Sequence, residues 1–489
     1  MIYSDNDTIA AIATAMSDAG IGIIRVSGPQ AVQIVDNCYL NVGKKHDLLF
    51  HAPNTIQYGY ICNQKEEILD EVMVSVMKAP HSYTREDVVE VNCHGGMMIM
   101  NDVLQVILNA GCRLAQPGEF TKRAFLNGRI DLAKAEAVMD IISATNEFAL
   151  HNSQKQLRGN ISREVIAMRK EILYEMAFIE SALDDPENYD LTGYPEKLRN
   201  KLKSVSEKCR NLIDTSEEGK IRKEGISTVI VGKPNSGKSS LLNILTGEER
   251  AIVTEIAGTT RDVIEETVRI DDIVLHVTDT AGIRQTQDTI EKIGVEKAKK
   301  YAEDADLILY MIDSTREIDA EDNEIIRMIS GKKLIILLNK CDLENEIRVN
   351  EQDIIRLINQ ECGGIYELQP ENSCFYHITN KDQRIPMIKT SMLDQKGIDL
   401  LKKSVSELFL HGEIVPKEEM YITNVRHKNA LQRAYESMML VMKSIDDGMS
   451  EDFFAIDLMN CYQALGEIIG EDIGEDLVDE IFSKFCMGK

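Results

Sequence analysis

Gly232-Lys233-Pro234-Asn235-Ser236-Gly237-Lys238-Ser239 matches the spacing G-x-x-x-x-G-K-[ST]. It follows an apolar run that reads as a strand, Ser227–Val231, and opens a predicted helix, Ser240–Leu245. Strand, loop and helix in that order are the context a phosphate cradle needs. The glycines let backbone N–H groups close on phosphate oxygens, Lys238 reaches the β- and γ-phosphates, and the Ser239 hydroxyl can ligate Mg2+. A chance glycine-rich turn would not keep eight positions in that context. Asp279-Thr280-Ala281-Gly282 closes a later apolar strand. Asp279 is placed there to hold Mg2+ through water, and Gly282 to offer its N–H to a γ-phosphate. Asn339-Lys340-Cys341-Asp342 closes another strand. A carboxylate at Asp342 accepts from guanine N1–H and from the exocyclic amine. Adenine has a lone pair at N1 and lacks that amine, so the base selected is guanine. Between the first two motifs lies Gly258-Thr259-Thr260-Arg261-Asp262. Thr260 is its natural switch threonine, sensing the γ-phosphate through Mg2+.

The hydrolytic water needs a partner. Ras-like enzymes place a glutamine directly after this DTAG element. Here the residue is Ile283, which makes no hydrogen bond. Asn235 is a candidate ligand for a monovalent cation standing where an arginine finger would lie. The run Thr254-Glu255-Ile256-Ala257-Gly258-Thr259 offers carbonyl oxygens to complete it. Glu291 is a candidate for orienting the water; the other reading is a solvated carboxylate on a helix face.

Elements of several kinds must position these residues. The chain has 489 residues, enough for about three domains. Its 43% hydrophobic content is ordinary for a globular protein. With 55 basic and 81 acidic residues the net charge is −26, which excludes indiscriminate coating of nucleic acid. No apolar run reaches the ~18 residues of a membrane span, and Met1–Asp7 has no secretory pattern. The ten cysteines contain no CxxC pair. A cytoplasmic protein with free thiols is expected.

From Thr8 to Leu114 the pattern is mixed, with strands at Ile21–Val26 and Asp87–Cys93 and helices at Gln30–Tyr39 and Met97–Ala110. From Pro117 to Gly219 amphipathic helical runs dominate, at Asp131–Thr145 and Ser153–Leu183. From Gly225 to Leu410 strands alternate with helices, the rhythm of a doubly wound sheet. Its further strands are expected at Val274–Thr278, Leu307–Ile312, Leu334–Leu338 and Pro386–Lys389. Helices then resume at Val425–Ile445, Asp452–Ile469 and Glu475–Phe485. The fold class is α/β plus α. A helical region that stops and resumes implies an insertion, with separate helical domains as the alternative.

The chain resembles the MnmE (TrmE) family of tRNA-modification GTPases over essentially its whole length. The resemblance rests on Asp5–Ile9, Gly22–Gly28, Ser82–Asp87, His94-Gly95-Gly96, Pro117–Gly128, Asp131–Ala137 and the terminal Phe485-Cys486-Met487-Gly488-Lys489. It implies an N-terminal α+β tetrahydrofolate-binding and dimerisation domain (1–118). A helical domain (119–220 and 411–489) would hold a Ras-like G domain inserted at 221–410. It implies potassium ligation by Asn235, Thr254, Ile256 and Thr259, and Mg2+ ligation by Ser239 and Thr260. The GTP site then comprises Asn235, Ser236, Gly237, Lys238, Ser239, Ser240, Thr254, Glu255, Ile256, Ala257, Gly258, Thr259, Thr260, Asp279, Thr280, Ala281, Gly282, Asn339, Lys340, Asp342, Ser391, Met392 and Leu393. Glu291 becomes the water-positioning residue beside catalytic Lys238.

The same resemblance implies that 5-formyl- or methylene-tetrahydrofolate binds Arg25, Glu90, Arg129 and Lys489. Folate is an anionic pterin–glutamate, so the three cations can pair with carboxylates or polarise the pterin. Glu90 can meet the amino-pyrimidine edge. Cys486 is a candidate nucleophile toward uridine C6 or an assisting thiol; the other reading is a buried thiol. A homodimer is implied, acting with the FAD protein MnmG. Together they would build an aminomethyl or carboxymethylaminomethyl group on C5 of the tRNA wobble uridine, position 34. The alternative is a GTP-dependent regulatory or ribosome-assembly switch without one-carbon chemistry. Three places depart from the family pattern: Ala15–Gly20 replaces a Pro/Gly-rich turn, Met392 follows Ser391, and Glu351–Arg384 reads as an insertion.

Overall fold

The computed structural model describes residues 7–185, 187–189, 191–248, 265–270, 273–279, 301–380, 383–409, 420–471, 474–485 and 488. Two compact units share the chain. One takes 1–143, 153–210 and 429–489; the other takes 144–152 and 211–428. No helix among the described residues is long and apolar enough to cross a membrane.

The first unit holds a seven-stranded sheet: β1 (Ile9–Ile12), β2 (Ala19–Ser27), β3 (Tyr39–Asn41), β4 (Thr55–Cys62), β5 (Ile68–Met77), β6 (Val88–Gly95) and β7 (Arg113–Leu114). Their order is β3-β4-β5-β6-β2-β1-β7. Every pairing is antiparallel except β1 with β7. Alternation sets the faces. Val72, Val74 and Val76 of β5 and Ile24 and Val26 of β2 point into the core. Arg25 stands between the last two, on the opposite face. Helix Met97–Asn109 covers the apolar face with Met100, Val103 and Ile107. Each such buried aliphatic side chain contributes roughly 1.5–3 kcal/mol.

The expected run Ser153–Leu183 is instead two helices, Glu147–Leu157 and Asn160–Asp184. They part at Gly159, whose φ of +83° suits glycine. A Cβ there would meet Lys134 Cε at 2.8 Å. Helix Asn160–Asp184 packs along helix Glu451–Ile469. Arg169 joins them: Nε donates to the Tyr462 carbonyl at 3.2 Å, and the guanidinium pairs with Glu471. Helix Glu475–Ser483 then brings Val478, Phe482 and Phe485 onto Leu132 and Ala135.

The second unit holds an eight-stranded sheet: β8 (Ile226–Val231), β9 (Glu265–Ile270), β10 (Ile273–Asp279), β11 (Leu307–Asp313), β12 (Leu334–Asn339), β13 (Glu367–Pro370), β14 (Phe375–Thr379) and β15 (Arg384–Lys389). Their order is β13-β14-β15-β12-β11-β8-β10-β9. The five middle strands are parallel, and β9, β13 and β14 are antiparallel additions. Every residue of β11 and β12 is buried, as parallel strands covered on both faces require. Separate apolar cores lie on the two faces. β8 has β10 on one side and β11 on the other, so the strand order reverses beside it. Ligands bind at such switch points, outside the carboxyl ends of the strands. The segment read as an insertion is helix Glu351–Glu361 followed by the β13–β14 hairpin.

Candidate nucleotide and N-terminal sites

β8 ends at Val231, and the loop that follows leads into helix Lys238–Glu248. Close approach dictates its glycines. A Cβ on Gly232 (φ +154°) would meet the Met311 carbonyl at 2.3 Å, and one on Gly237 (φ +108°) would meet Asn339 Nδ2 at 2.3 Å. Asn339 Nδ2 donates to the Ser236 carbonyl at 2.8 Å, and its Oδ1 accepts from Met392 N at 3.3 Å. One amide side chain therefore joins the phosphate loop, the Asn339–Asp342 loop and the Ser391–Leu393 loop. Lys238 Nζ donates to the carbonyls of Gly232 and Lys233, each at 2.8 Å. Ser239 and Ser240 follow in the first turn of the helix, and Asn235 has a left-handed φ of +66°.

Lys340 Nζ lies 2.6 Å from Asp313 Oδ2 at the end of β11. Burial pushes the Asp313 carboxyl up; Lys340 and the Thr315 hydroxyl outweigh it and hold it below the ordinary value. Ser391 is buried and Leu393 exposed, so the departure at Met392 sits where the loop meets Asn339. Asp279 closes β10 opposite Ile230 of β8, beside the phosphate loop. Thr254, Glu255, Ile256, Ala257, Gly258, Thr259, Thr260, Thr280, Ala281, Gly282 and Glu291 lie outside the described residues. No group of three or more His, Cys, Asp or Glu among the described residues could hold a metal ion.

The second site is on the open face of the N-terminal sheet. Arg25 and Glu90 are register partners on β2 and β6, and Arg25 Nε donates to Glu90 Oε1 at 2.9 Å. Arg25 Nη1 donates to the Gly488 carbonyl at 3.0 Å. The tail fits tightly, because a Cβ on Gly488 would meet the Ile12 carbonyl at 2.3 Å. Arg129 Nη1 donates to the Tyr83 carbonyl at 3.0 Å, with its guanidinium 4.8 Å from that ring. Arg25 lies 5.7 Å from both Tyr83 and Phe120. Arg25, Glu90 and Arg129 thus share one site, while Lys489 and Cys486 lie outside the described residues. Sequence reasoning assigned Tyr83 no role. Its signal was present in Ser82–Asp87, but a loop aromatic carries no periodicity.

An ion network holds the Tyr83 loop. Arg123 pairs with Asp7 at 2.5 Å, Glu119 at 3.1 Å and Glu86 at 3.2 Å. Arg113 pairs with Asp7 at 2.7 Å and Glu119 at 2.6 Å. Glu86 accepts from Ser27 Oγ at 2.7 Å, and that hydroxyl meets Thr84 Oγ1 at 2.7 Å. Burial raises the Asp7 and Glu119 carboxyls, and the two guanidiniums lower them further, leaving both below their ordinary values.

A doubly wound sheet with a phosphate loop after β8 and an Asn-Lys-x-Asp turn after β12 defines a P-loop nucleotide-binding protein. A family model described as "MnmE helical domain" matches residues 132–486, and one described as "GTP-binding protein TrmE N-terminus" matches 8–129. The "tRNA modification GTPase MnmE" of Lachnoclostridium phytofermentans is 51% identical over 483 residues, 99% of each chain. That of Alkaliphilus oremlandii is 44% identical over 491 residues, 100% of each. That of Bacillus pumilus is 44% identical over 485 residues, 99% of this chain and 100% of its own. The chain belongs to the MnmE (TrmE) family of tRNA modification GTPases, and so is a GTP hydrolase acting in tRNA modification.

Proposed function

We propose that the chain is a potassium-activated GTPase that works with an FAD-containing partner, MnmG. Together they install an aminomethyl or carboxymethylaminomethyl group at C5 of uridine 34 in certain tRNAs. In this reading the protein is a cytoplasmic homodimer, paired through domain 1–118. Residues 221–410 form the G domain, inserted between helical segments 119–220 and 411–489. The observation that carries the one-carbon part is the site on the N-terminal sheet. Arg25, Glu90, Arg129, Tyr83 and the Gly488 carbonyl converge there. Two guanidiniums beside an aromatic ring suit a flat, anionic pterin–glutamate. Tetrahydrofolate in its 5-formyl or methylene form would supply the one-carbon unit, held by Arg25, Glu90, Arg129 and Lys489. The test is calorimetric titration of the full chain with 5-formyl-tetrahydrofolate beside Arg25→Ala. Saturable binding that the variant loses is expected. No binding to the folded wild type removes the support for one-carbon chemistry.

In the nucleotide site, Lys238 neutralises the β- and γ-phosphates. The glycines let the loop pack closely, since side chains at Gly232 and Gly237 would run into the Met311 carbonyl and Asn339 Nδ2. Ser239 and Thr260 would hold Mg2+. Asn235, Thr254, Ile256 and Thr259 would hold potassium, which would supply positive charge at the place where an arginine finger would sit. Glu291 would orient the water that Ile283 cannot, and Cys486 is carried as a candidate thiol without an assigned step. GTP turnover is expected to be about tenfold or more faster in potassium than in sodium chloride. Equal rates in the two salts would falsify the potassium assignment.

A further inference from the structure

Lys233 occupies a position that the phosphate-loop motif leaves free. Its Nζ lies 2.8 Å from Asp319 Oδ2 and also pairs with Asp322 Oδ2. The Lys233 side chain is 13% exposed and that of Asp322 6%, so the second pair is largely desolvated. The anchor is rigid. Asp322 Oδ1 accepts from the hydroxyl of Tyr310 at 2.9 Å, and Tyr310 is fully buried in β11. Asp322 Oδ2 also accepts from Asp319 N at 3.1 Å, and Asp319 caps helix Ala320–Ile329 through Glu321 N at 2.8 Å.

The other end of the same residue faces the cradle. The Lys233 carbonyl accepts from Lys238 Nζ at 2.8 Å and from Ser236 N at 3.3 Å. Pro234 follows, with φ fixed by its ring, and it restricts Lys233 to extended backbone. A shift of the Lys233 side chain therefore moves the carbonyl that Lys238 rests on, with little slack to absorb it. The ammonium is itself committed to two carboxylates, so it is not spare charge for a phosphate.

We infer that Lys233 is a positioning residue of the nucleotide site. Clamped by Asp319 and Asp322, it fixes the first limb of the phosphate loop and the resting place of Lys238, and so sets the grip on the β-phosphate. The inference rests on the nucleotide-site reading above and adds a residue to it. A salt bridge that merely stabilises the unit would act on every nucleotide alike, whereas a brace on this limb acts through the β-phosphate.

The test uses the full chain with Mg2+ and two probes, GDP and GMP. In Lys233→Met, GDP is expected to dissociate about tenfold faster, equivalent to about 1.4 kcal/mol. GMP, which lacks the β-phosphate, should keep its affinity within about twofold. Lys233→Arg should restore most of the GDP lifetime. Asp322→Asn keeps the side-chain shape and removes the charge, and should act as Lys233→Met does; it serves if the first variant folds poorly. Equal weakening of GDP and GMP, or an unchanged GDP lifetime, overturns the inference. A wild type that fails to bind GDP instead overturns the nucleotide-site reading itself.

Discussion

An Asp342→Asn variant is expected to lose GTP and gain xanthosine triphosphate. In the proposed reading the wild-type carboxylate would accept two guanine hydrogen bonds. An asparagine offers one acceptor and one donor, which suits xanthine N1–H and its 2-carbonyl. Against guanine the new donor faces the exocyclic amine, and both groups are left unpaired. Sites built around such hydrogen bonds reject the mismatched ligand by on the order of 10⁴-fold. The surrounding frame should survive, because Asn339 carries the bonds to Ser236 and Met392, and Lys340 rests on Asp313. Competition between the two triphosphates for the purified variant measures the switch. A variant that still prefers GTP would show that Asp342 does not read the base.

The second large effect is on stability. Arg123→Met is expected to destabilise the N-terminal unit by about 3 kcal/mol at neutral pH, since it removes one partner from a mostly buried network. The loss leaves Glu86 without its guanidinium contact, and Asp7 and Glu119 with Arg113 alone of the two arginines. The pH dependence has a definite sign. In the wild type Asp7 and Glu119 titrate below their ordinary values. Their contribution is therefore complete above about pH 4, the unfolded carboxylate range, and is lost as pH falls through the folded values. In the variant Asp7 and Glu119 keep Arg113 but lose the lowering by Arg123, so they titrate closer to their ordinary values. The gap between variant and wild type should narrow as pH falls below about 4.5, through the unfolded carboxylate range toward the wild-type folded values. Urea unfolding with amide exchange of β1 and β2 as the readout measures it. A constant gap would mean that Arg123 acts by packing alone.

The second unit's framework could be read from sequence because its parallel strands are buried on both faces. Leu307–Ile312 and Leu334–Leu338 are unbroken apolar runs, and the Asn339–Asp342 motif starts just past the second. The antiparallel additions were harder to see. β9 reads Glu-Glu-Thr-Val-Arg-Ile, with too few apolar residues to announce a strand. The β13–β14 hairpin was visible only as extra length. In the N-terminal unit β4 and β5 carry half-buried alternation, a weaker signal than a buried run. The Arg25–Glu90 pairing depends on the register of two strands 65 residues apart; nothing local encodes it, and the family resemblance supplied both residues. The contact of Arg25 with Gly488 and the role of Lys233 needed tertiary structure for the same reason.

The Gly488 carbonyl that Arg25 meets is 463 residues downstream. A ribosome adding about 5–20 residues per second takes roughly 25–90 s to cover that distance. The N-terminal sheet is therefore made, and free to fold, long before its site can be closed. During that interval Arg25 has its register partner Glu90 and an open flank where the tail will lie. A chain cut short by a premature stop would fold the same sheet and stay in that state. The tail contact thus sets an order of events: the site proposed for one-carbon chemistry is closed by residues made long after the sheet that carries it.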